Sequence, residues 1–139
     1  MEKWLFLAVL TQVLLTFVVM FIMGRRRFAA AKNKQIELSA FKTMSLESAP
    51  EPVIAAGRNF LTQFELPVLF YVAILMCLQL NLTGWFSVGC ASVFVISRII
   101  HSVIHLGHND VVKRYKSFVF GAFVLLVWWM GITVQLMLR

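Results

Sequence analysis

Residues 85–106 read WFSVGCASVFVISRIIHSVIHL, a stretch long and apolar enough to cross a membrane as a helix that also carries three ionisable side chains. Arg98, His101 and His105 follow i, i+3, i+7 spacing and therefore share one helix face. A central arginine costs roughly 2.5–3.5 kcal/mol on membrane-insertion scales, so such a face must point at protein, water or a ligand. The stretch predicts a membrane helix with a functional polar face.

The composition is that of an integral membrane protein. Of 139 residues, 60% are hydrophobic and 14% are charged. Because lipid offers no partners for backbone polar groups, long apolar runs must form helices or closed barrels. We predict an all-α, integral membrane four-helix bundle that forms a single domain over residues 1–139. Its predicted spans are residues 4–23, 60–80, 85–106 and 118–138.

The net charge of +7 is divided unevenly between the two sides of the predicted bundle. Basic residues crowd the first and third connections, whereas the opposite side carries only Lys3 and Arg139. This is the pattern of the positive-inside rule rather than of a nucleic-acid-binding protein, and it predicts that both termini lie outside the cytoplasm. Membrane lipid is an expected partner of the basic residues. They are Arg25, Arg26, Arg27, Lys32, Lys34, Lys42, Arg58, Lys113, Arg114 and Lys116.

Glycine and proline predict where the helices end. Gly24 is expected to end the first helix, and residues 48–52 (SAPEP) are expected to form an elbow outside any helix. The apolar residues between 36 and 46 are expected to lie on the membrane surface. Pro67 lacks a backbone N–H, so we expect a kink in the second span that frees the carbonyl of Gln63.

Polar residues of the second span face those of the third. Arg58, Thr62 and Glu65 share a face by their i, i+4, i+7 spacing. With the predicted topology, this face and the polar face of the third span both lie in the cytoplasmic half. A purely structural Arg58–Glu65 ion pair is the alternative interpretation. The candidate site residues are Arg58, Asn59, Gln63, Glu65, Arg98, His101, His105 and Arg114.

This residue set favours a small anionic ligand over a metal ion. Guanidinium groups suit carboxylates, phosphates and other anions, and the surrounding lipid would admit a lipophilic second molecule. The spacing of His101, His105 and His108 allows a metal site, but Gly107 is expected to end the helix before His108 and Arg98 repels cations. We predict no metal. Cys77 and Cys90 are expected to be buried thiols rather than a disulfide.

Three segments of the chain resemble the MAPEG family, the membrane-associated proteins of eicosanoid and glutathione metabolism. They are Arg58-Asn59 through Glu65-Leu66-Pro67, residues 98–107 (RIIHSVIHLG) and Arg114. The resemblance implies a homotrimer with glutathione, as cosubstrate, bound between adjacent subunits. It also implies that an arginine at position 114 stabilises the glutathione thiolate. The residues implied to hold the peptide are Arg58, Asn59, Gln63, Glu65, Arg98, His101 and His105.

The chain also departs from the pattern of that family. His105 stands where many members have tyrosine, and Phe118 stands where a hydroxylated aromatic residue is common. Tyr115, beside Arg114, is a second candidate catalytic residue because it could supply the missing hydroxyl.

The resemblance implies a membrane-bound glutathione-dependent transferase or peroxidase that acts on lipophilic electrophiles or lipid hydroperoxides. The bacterial inner membrane is the expected location, with the site towards the cytoplasm. Two alternatives stay open at this stage. One is a non-catalytic lipid-binding or scaffold protein of the same fold. The other is a small transporter or channel subunit with Glu65 and the histidines as a proton relay.

Overall fold

The computed structural model describes residues 1–138, and over this range it contains helices and their connections alone. Four helical segments are long and apolar enough to cross a membrane. The all-α, membrane-spanning four-helix architecture is therefore confirmed, whereas the side on which the termini lie stays a prediction. The elements are α1 (Glu2–Lys32), α2 (Ala40–Thr43), α3 (Glu51–Thr62), α4 (Leu66–Gln79), α5 (Trp85–Leu106) and α6 (Val111–Met137).

The bundle has two distinct ends. At one end, which we call the basic end, α1 and α5 finish and α3 and α6 begin. At the other, which we call the terminal end, α1 and α5 begin and α4 and α6 finish. The helices that cross from one end to the other are α1, the α3–α4 pair, α5 and α6.

The half of the bundle near the terminal end has an apolar core. Phe70 stacks on Phe94 with ring centroids 4.9 Å apart, and the ring of Trp128 meets Phe70 edge-on at 6.1 Å. All three side chains are fully buried. Cys77 belongs to the same core and, as predicted, is a buried free thiol, while Cys90 is half-buried and also free. Tight aromatic packing therefore holds this half together.

The second span is interrupted by a break between α3 and α4, close to the polar residues at the end of α3. The chain leaves helical geometry at Glu65, with φ −92° and ψ −106°, between α3 and α4. Pro67 lies in the first turn of α4, where a missing N–H costs nothing because it would be unpaired anyway. The predicted kink is thus confirmed. The carbonyl of Thr62, one residue before Gln63, accepts a side-chain hydrogen bond from Arg98.

Three local predictions about the helix ends and the first connection are wrong in part. Helix α1 continues through Gly24 to Lys32, because one glycine does not end a helix whose next residues also favour helical geometry. Helix α3 begins inside the predicted elbow, at Glu51, because its first turn tolerates Pro52. Ile36 does not lie on the membrane surface but packs against Ala30 and Val53, although Leu38 is exposed.

Candidate functional site

A cavity of about 360 Å³ lies at the basic end between α3, α5 and α6. We call it the polar cavity, because charged and hydrogen-bonding side chains from all three helices line it together with a few apolar ones. Six of the sequence-predicted site residues lie there: Arg58, Glu65, His101, His105, Arg114 and Tyr115. The remaining lining residues are Leu61, Thr62, Val111 and Phe118.

Arg98 lies directly behind the wall of the polar cavity. It is completely buried, and its Nη2 donates to the hydroxyl and the carbonyl of Thr62 at 3.0 and 3.3 Å. Its guanidinium carbon is 5.8 Å from the ring centroid of Phe118. Its Nε and Nη1 have no hydrogen-bond partner within residues 1–138. A buried cation with free donors makes the adjacent cavity attractive to an anion.

The Arg58–Glu65 ion pair of the alternative interpretation does not form. Within the described part of the chain, the only ion pair joins Lys113 to Asp110. Arg58 and Glu65 instead both line the polar cavity, with exposed side chains. The structural alternative for these two residues is therefore wrong, and both charges remain available to a ligand.

The two histidines of α5 are buried and incompletely hydrogen-bonded. His101 Nδ1 lies 3.1 Å from the carbonyl oxygen of Arg114 and 3.4 Å from the hydroxyl of Ser117. Its Nε2 has no partner among residues 1–138, and neither ring nitrogen of His105 has one. The two rings meet edge-on with centroids 5.6 Å apart. The free nitrogens offer the polar cavity further hydrogen-bonding capacity.

Asn59 and Gln63, which sequence analysis placed in the site, do not line the polar cavity. They lie inside the bundle, where Gln63 Nε2 donates to Asn59 Oδ1 at 3.2 Å and to the Ser102 hydroxyl at 3.3 Å. The Ser102 hydroxyl in turn donates to Asn59 Oδ1 at 3.2 Å. This network fixes the last turn of α3 against α5, so these residues support the cavity wall from behind.

Gln12 is a buried member of the same network that sequence analysis missed. It is fully buried in α1, and its Nε2 donates to Gln63 Oε1 at 3.0 Å. A single amide in an otherwise apolar span was the available signal, because a polar group at that depth needs a partner inside the protein. The bond ties α1 to the break between α3 and α4.

Arg114 is held by a rigid helix rather than by a loop. Asp110 caps α6: its side chain accepts the backbone N–H of Lys113 at 3.0 Å, which lowers the pKa of the Asp110 carboxyl. Arg114 therefore sits in the first turn of α6, and its guanidinium Nη1 donates to Asn109 Oδ1. Asn109 was also missed by sequence analysis. The next residue, Tyr115, is mostly exposed and contributes part of the cavity rim.

Two further cavities adjoin the polar cavity. A cavity of about 580 Å³ lies between α1, the α1–α3 connection and α3, and it shares Arg58 and Leu61 with the polar cavity. We call it the apolar cavity because most of its lining residues are apolar, although Arg27 and Glu47 also line it. A second one, of about 370 Å³, opens at the basic end and shares Arg58, His105, Val111 and Arg114 with it. We call the latter the mouth.

No set of three metal-ligating side chains is close enough to hold a metal ion anywhere in residues 1–138. His108, the third histidine of the sequence pattern, is exposed beyond the end of α5. The charged groups that line the polar cavity are Arg58, Arg114 and Glu65, and Arg98 lies behind them. The arrangement suits a ligand that carries several anionic groups and one cationic group.

Comparison with known proteins gives one match. The model of the MAPEG family matches residues 5–134, which is almost the whole chain. No curated protein and no solved structure matches. The matched range includes every residue of the polar cavity.

Proposed function

The chain belongs to the MAPEG family, and on that premise we propose that it is a membrane-bound glutathione-dependent transferase or peroxidase. Its substrates are lipophilic electrophiles or lipid hydroperoxides. The observation that carries the proposal is the position of Arg114. Its guanidinium lines a cavity whose other charged groups match those of glutathione.

The charges of the polar cavity complement glutathione group by group. Glutathione has two carboxylates, one ammonium group and one thiol. Arg58 in the lining and Arg98 behind it supply cations for the carboxylates, and Glu65 supplies an anion for the ammonium. Arg114 is then left for the thiol. The free N–H groups of Arg98 fit a ligand rich in hydrogen-bond acceptors, and the ring of His105 can exchange hydrogen bonds with the same ligand.

Arg114 would act by favouring the thiolate. A free thiol has a pKa of about 8.5, so at neutral pH most of it is protonated and a poor nucleophile. A fixed cation in a partly dry cavity stabilises the anion. The thiolate sulfur would bond to an electrophilic carbon, whose leaving group departs with the bonding electrons. In the peroxidase reaction, two glutathiones are oxidised to the disulfide while the hydroperoxide is reduced to an alcohol and water.

The apolar cavity supports a lipophilic second substrate. Its wall includes Met23 of α1 and Phe60 of α3, and it meets the polar cavity at Arg58 and Leu61. A molecule that partitions into lipid could therefore come close to Arg114 without crossing bulk water.

We infer a homotrimer in which a neighbouring subunit completes the polar cavity. The family premise is one support. The other is that two residues at the cavity rim, Leu61 and Tyr115, are 63% and 66% exposed in the single chain. Their exposure leaves the rim of the polar cavity uncovered by the single chain, where another copy could pack against it. We also propose that the basic end faces the cytoplasm of a bacterial cell, because that end carries most of the positive charge.

A turnover assay with matched variants tests the proposed activity. Arg114→Ala should lower the rate of glutathione conjugation to chlorodinitrobenzene, and of fatty-acid hydroperoxide reduction, by at least about tenfold, which corresponds to about 1.4 kcal/mol. Lys116→Ala is the control, because it removes the same charge from an exposed residue that does not line the polar cavity. Equal rates in wild type and Arg114→Ala would refute the mechanism.

A non-catalytic glutathione- or lipid-binding scaffold is the second candidate. The observation that favours it is Phe118, which lines the polar cavity without a hydroxyl and contacts the ring of His101 at a centroid distance of 5.8 Å. Glutathione binding without turnover of any electrophile or hydroperoxide would support this candidate.

The transporter alternative gains no support from the structure. The half of the bundle near the terminal end is filled by the aromatic and aliphatic core around Phe70, Phe94 and Trp128. A proton relay from Glu65 and the histidines would need polar groups across that half.

A further inference from the structure

Asn109 connects the start of α3 to the side chain of Arg114. Asn109 lies in the connection between α5 and α6, outside both helices. Its side-chain Nδ2 donates to Glu51 Oε1 at 3.1 Å, and its Oδ1 accepts from Arg114 Nη1. Three elements are therefore joined by two side-chain hydrogen bonds at the mouth, which all three residues line.

The orientation of the Asn109 amide follows from the chemistry of its two neighbours. The carboxylate of Glu51 can only accept hydrogen bonds, and the guanidinium of Arg114 can only donate them. The amide must therefore turn its NH₂ group towards Glu51 and its oxygen towards Arg114. Flipping the amide would place donor against donor and acceptor against acceptor.

The backbone of Asn109 is also fixed. Its N–H donates to the carbonyl of Ile104 at 2.8 Å, one of the last carbonyls of α5. Its φ is +50°, in the left-handed region that asparagine and glycine adopt more readily than other residues. The side chain thus starts from a rigid position and can orient a long, flexible arginine.

We propose that Asn109 is a positioning residue for Arg114, and that Glu51 acts through it by fixing the amide orientation. The inference rests on the proposed function, because it assigns the positioned guanidinium to the thiolate of glutathione. Without the Asn109 oxygen, Arg114 would sample several rotamers and spend less time at the position of the sulfur. Asn109 itself need not contact the substrate.

Other charged and titratable groups lie near Arg114 and also influence a thiolate bound there. Arg58 and His105 line both the polar cavity and the mouth, and Glu65 and His101 line the polar cavity. Asp110 precedes the first turn of α6 but is engaged with Lys113. The test must therefore change the group next to Arg114 and leave these residues in place.

Two substitutions at Asn109 separate positioning from a general structural role. Asn109→Asp keeps the shape of the side chain but places a carboxylate against Arg114, whereas Asn109→Gly removes the side chain and suits the positive φ. The measured quantity is the pH midpoint of the thiolate absorbance of glutathione bound to the full-length protein in detergent. We expect Asn109→Gly, which removes the oxygen that accepts from Arg114, to lower the thiolate fraction at neutral pH about tenfold. Asn109→Asp keeps an acceptor oxygen and should lower it less, with glutathione affinity nearly unchanged in both.

The outcomes are distinct. A purely structural role predicts instead that Asn109→Gly lowers thermal stability and leaves the pH midpoint of the bound thiol unchanged. Glu51→Gln is a further control, because the glutamine oxygen can still accept from Asn109 Nδ2, and it should leave the pH midpoint unchanged. A midpoint in Asn109→Gly equal to that of wild type overturns the positioning inference alone. Failure of wild type to bind glutathione overturns the proposed function together with it.

Discussion

The two halves of the bundle bury different kinds of side chain. Near the terminal end, Phe70, Phe94 and Trp128 are fully buried and contact one another. Near the basic end, Arg98 and His105 are buried almost as completely, yet several of their nitrogens have no partner within residues 1–138. In the terminal half, the indole N–H groups of Trp128 and Trp129 also have no partner within residues 1–138.

We infer that the terminal half serves mainly the stability of the bundle and the basic half mainly its function. An unpaired buried polar group costs about 1–3 kcal/mol, so the basic half lowers the stability of the isolated chain. Aromatic packing in the terminal half offsets that cost. The sequence of the basic half is therefore best explained by a ligand that supplies the missing partners, and that of the terminal half by packing.

Truncating the aromatic core should have the largest effect on stability. Phe70→Ala should lower the free energy of unfolding by about 3 kcal/mol, because it leaves a cavity between Phe94 and Trp128. Phe17→Ala, on the exposed side of α1, is the control and should change stability little. Thermal unfolding in detergent measures both. The folded fraction of Phe70→Ala should bind glutathione normally, and a loss of affinity there would break the comparison.

Removing the buried cation should weaken glutathione binding without lowering stability, the reverse of what we expect for Phe70→Ala. Arg98→Met should weaken glutathione binding by about tenfold to a hundredfold, because it removes a charge-assisted partner worth about 1.5–3 kcal/mol. Its thermal stability should stay equal or rise, since an apolar side chain replaces a buried cation that forms no ion pair with any of residues 1–138. Calorimetric titration gives the affinity, with the buried neighbour Ser97→Ala as control. Unchanged affinity in Arg98→Met would mean that the cation serves the fold.

A substitution where the two halves meet tests how tightly α5 and α6 pack beside Arg98. A Cβ at Gly121 of α6 would lie 2.6 Å from the Ser97 hydroxyl of α5, next to Arg98. Gly121→Ala should therefore lower the free energy of unfolding by about 1 kcal/mol through overpacking. Gly24→Ala, where no atom lies within 4 Å of the new Cβ, should raise it by about 0.5–1 kcal/mol. Equal behaviour of the two variants in thermal unfolding would show that Ser97 simply rotates away.

The smallest effect is expected from the amide network behind the cavity. Gln12→Leu should lower stability by about 0.6 kcal/mol, the typical value for a hydrogen bond between helices in a membrane. Thr11→Val is the control, because the hydroxyl of Thr11 bonds only to Leu7 of its own helix. A loss well above about 1.7 kcal/mol in chemical or thermal unfolding would show that Gln12 holds the whole α3–α4 break.

Helical periodicity and chain order were sufficient to predict which side chains gather at the polar cavity. The spacing of Arg98, His101 and His105 placed them on one face, and all three are buried together in α5. The antiparallel order of the helices brought Glu65 and Arg114 to the same end, where they line one cavity. These predictions depend only on the rise per residue and the number of residues per turn of an α-helix, which tertiary contacts do not alter.

Other features depend on contacts that periodicity does not encode. The membrane-spanning part of α1 has apolar residues on every face, so the pattern could not show that Gln12 faces Gln63. The role of Asn109 depends on a single positive φ in a short connection. Asn59 was expected to face a ligand, but in the structure its amide oxygen accepts from Ser102 and Gln63. Which hydrogen bonds a buried amide forms is set by the fold as a whole.

Stabilisation of the glutathione thiolate by Arg114 is best tested by ultraviolet difference titration with glutathione. The titration compares the purified, detergent-solubilised wild-type protein with Arg114→Ala. The account predicts a saturable thiolate band in wild type at neutral pH that is lost in the variant, because Arg114 lines the polar cavity and stabilises the anion. No binding by wild type at millimolar glutathione would contradict it and remove the enzymatic interpretation. A thiolate band of equal size in both proteins would show that another cation of the cavity activates the thiol.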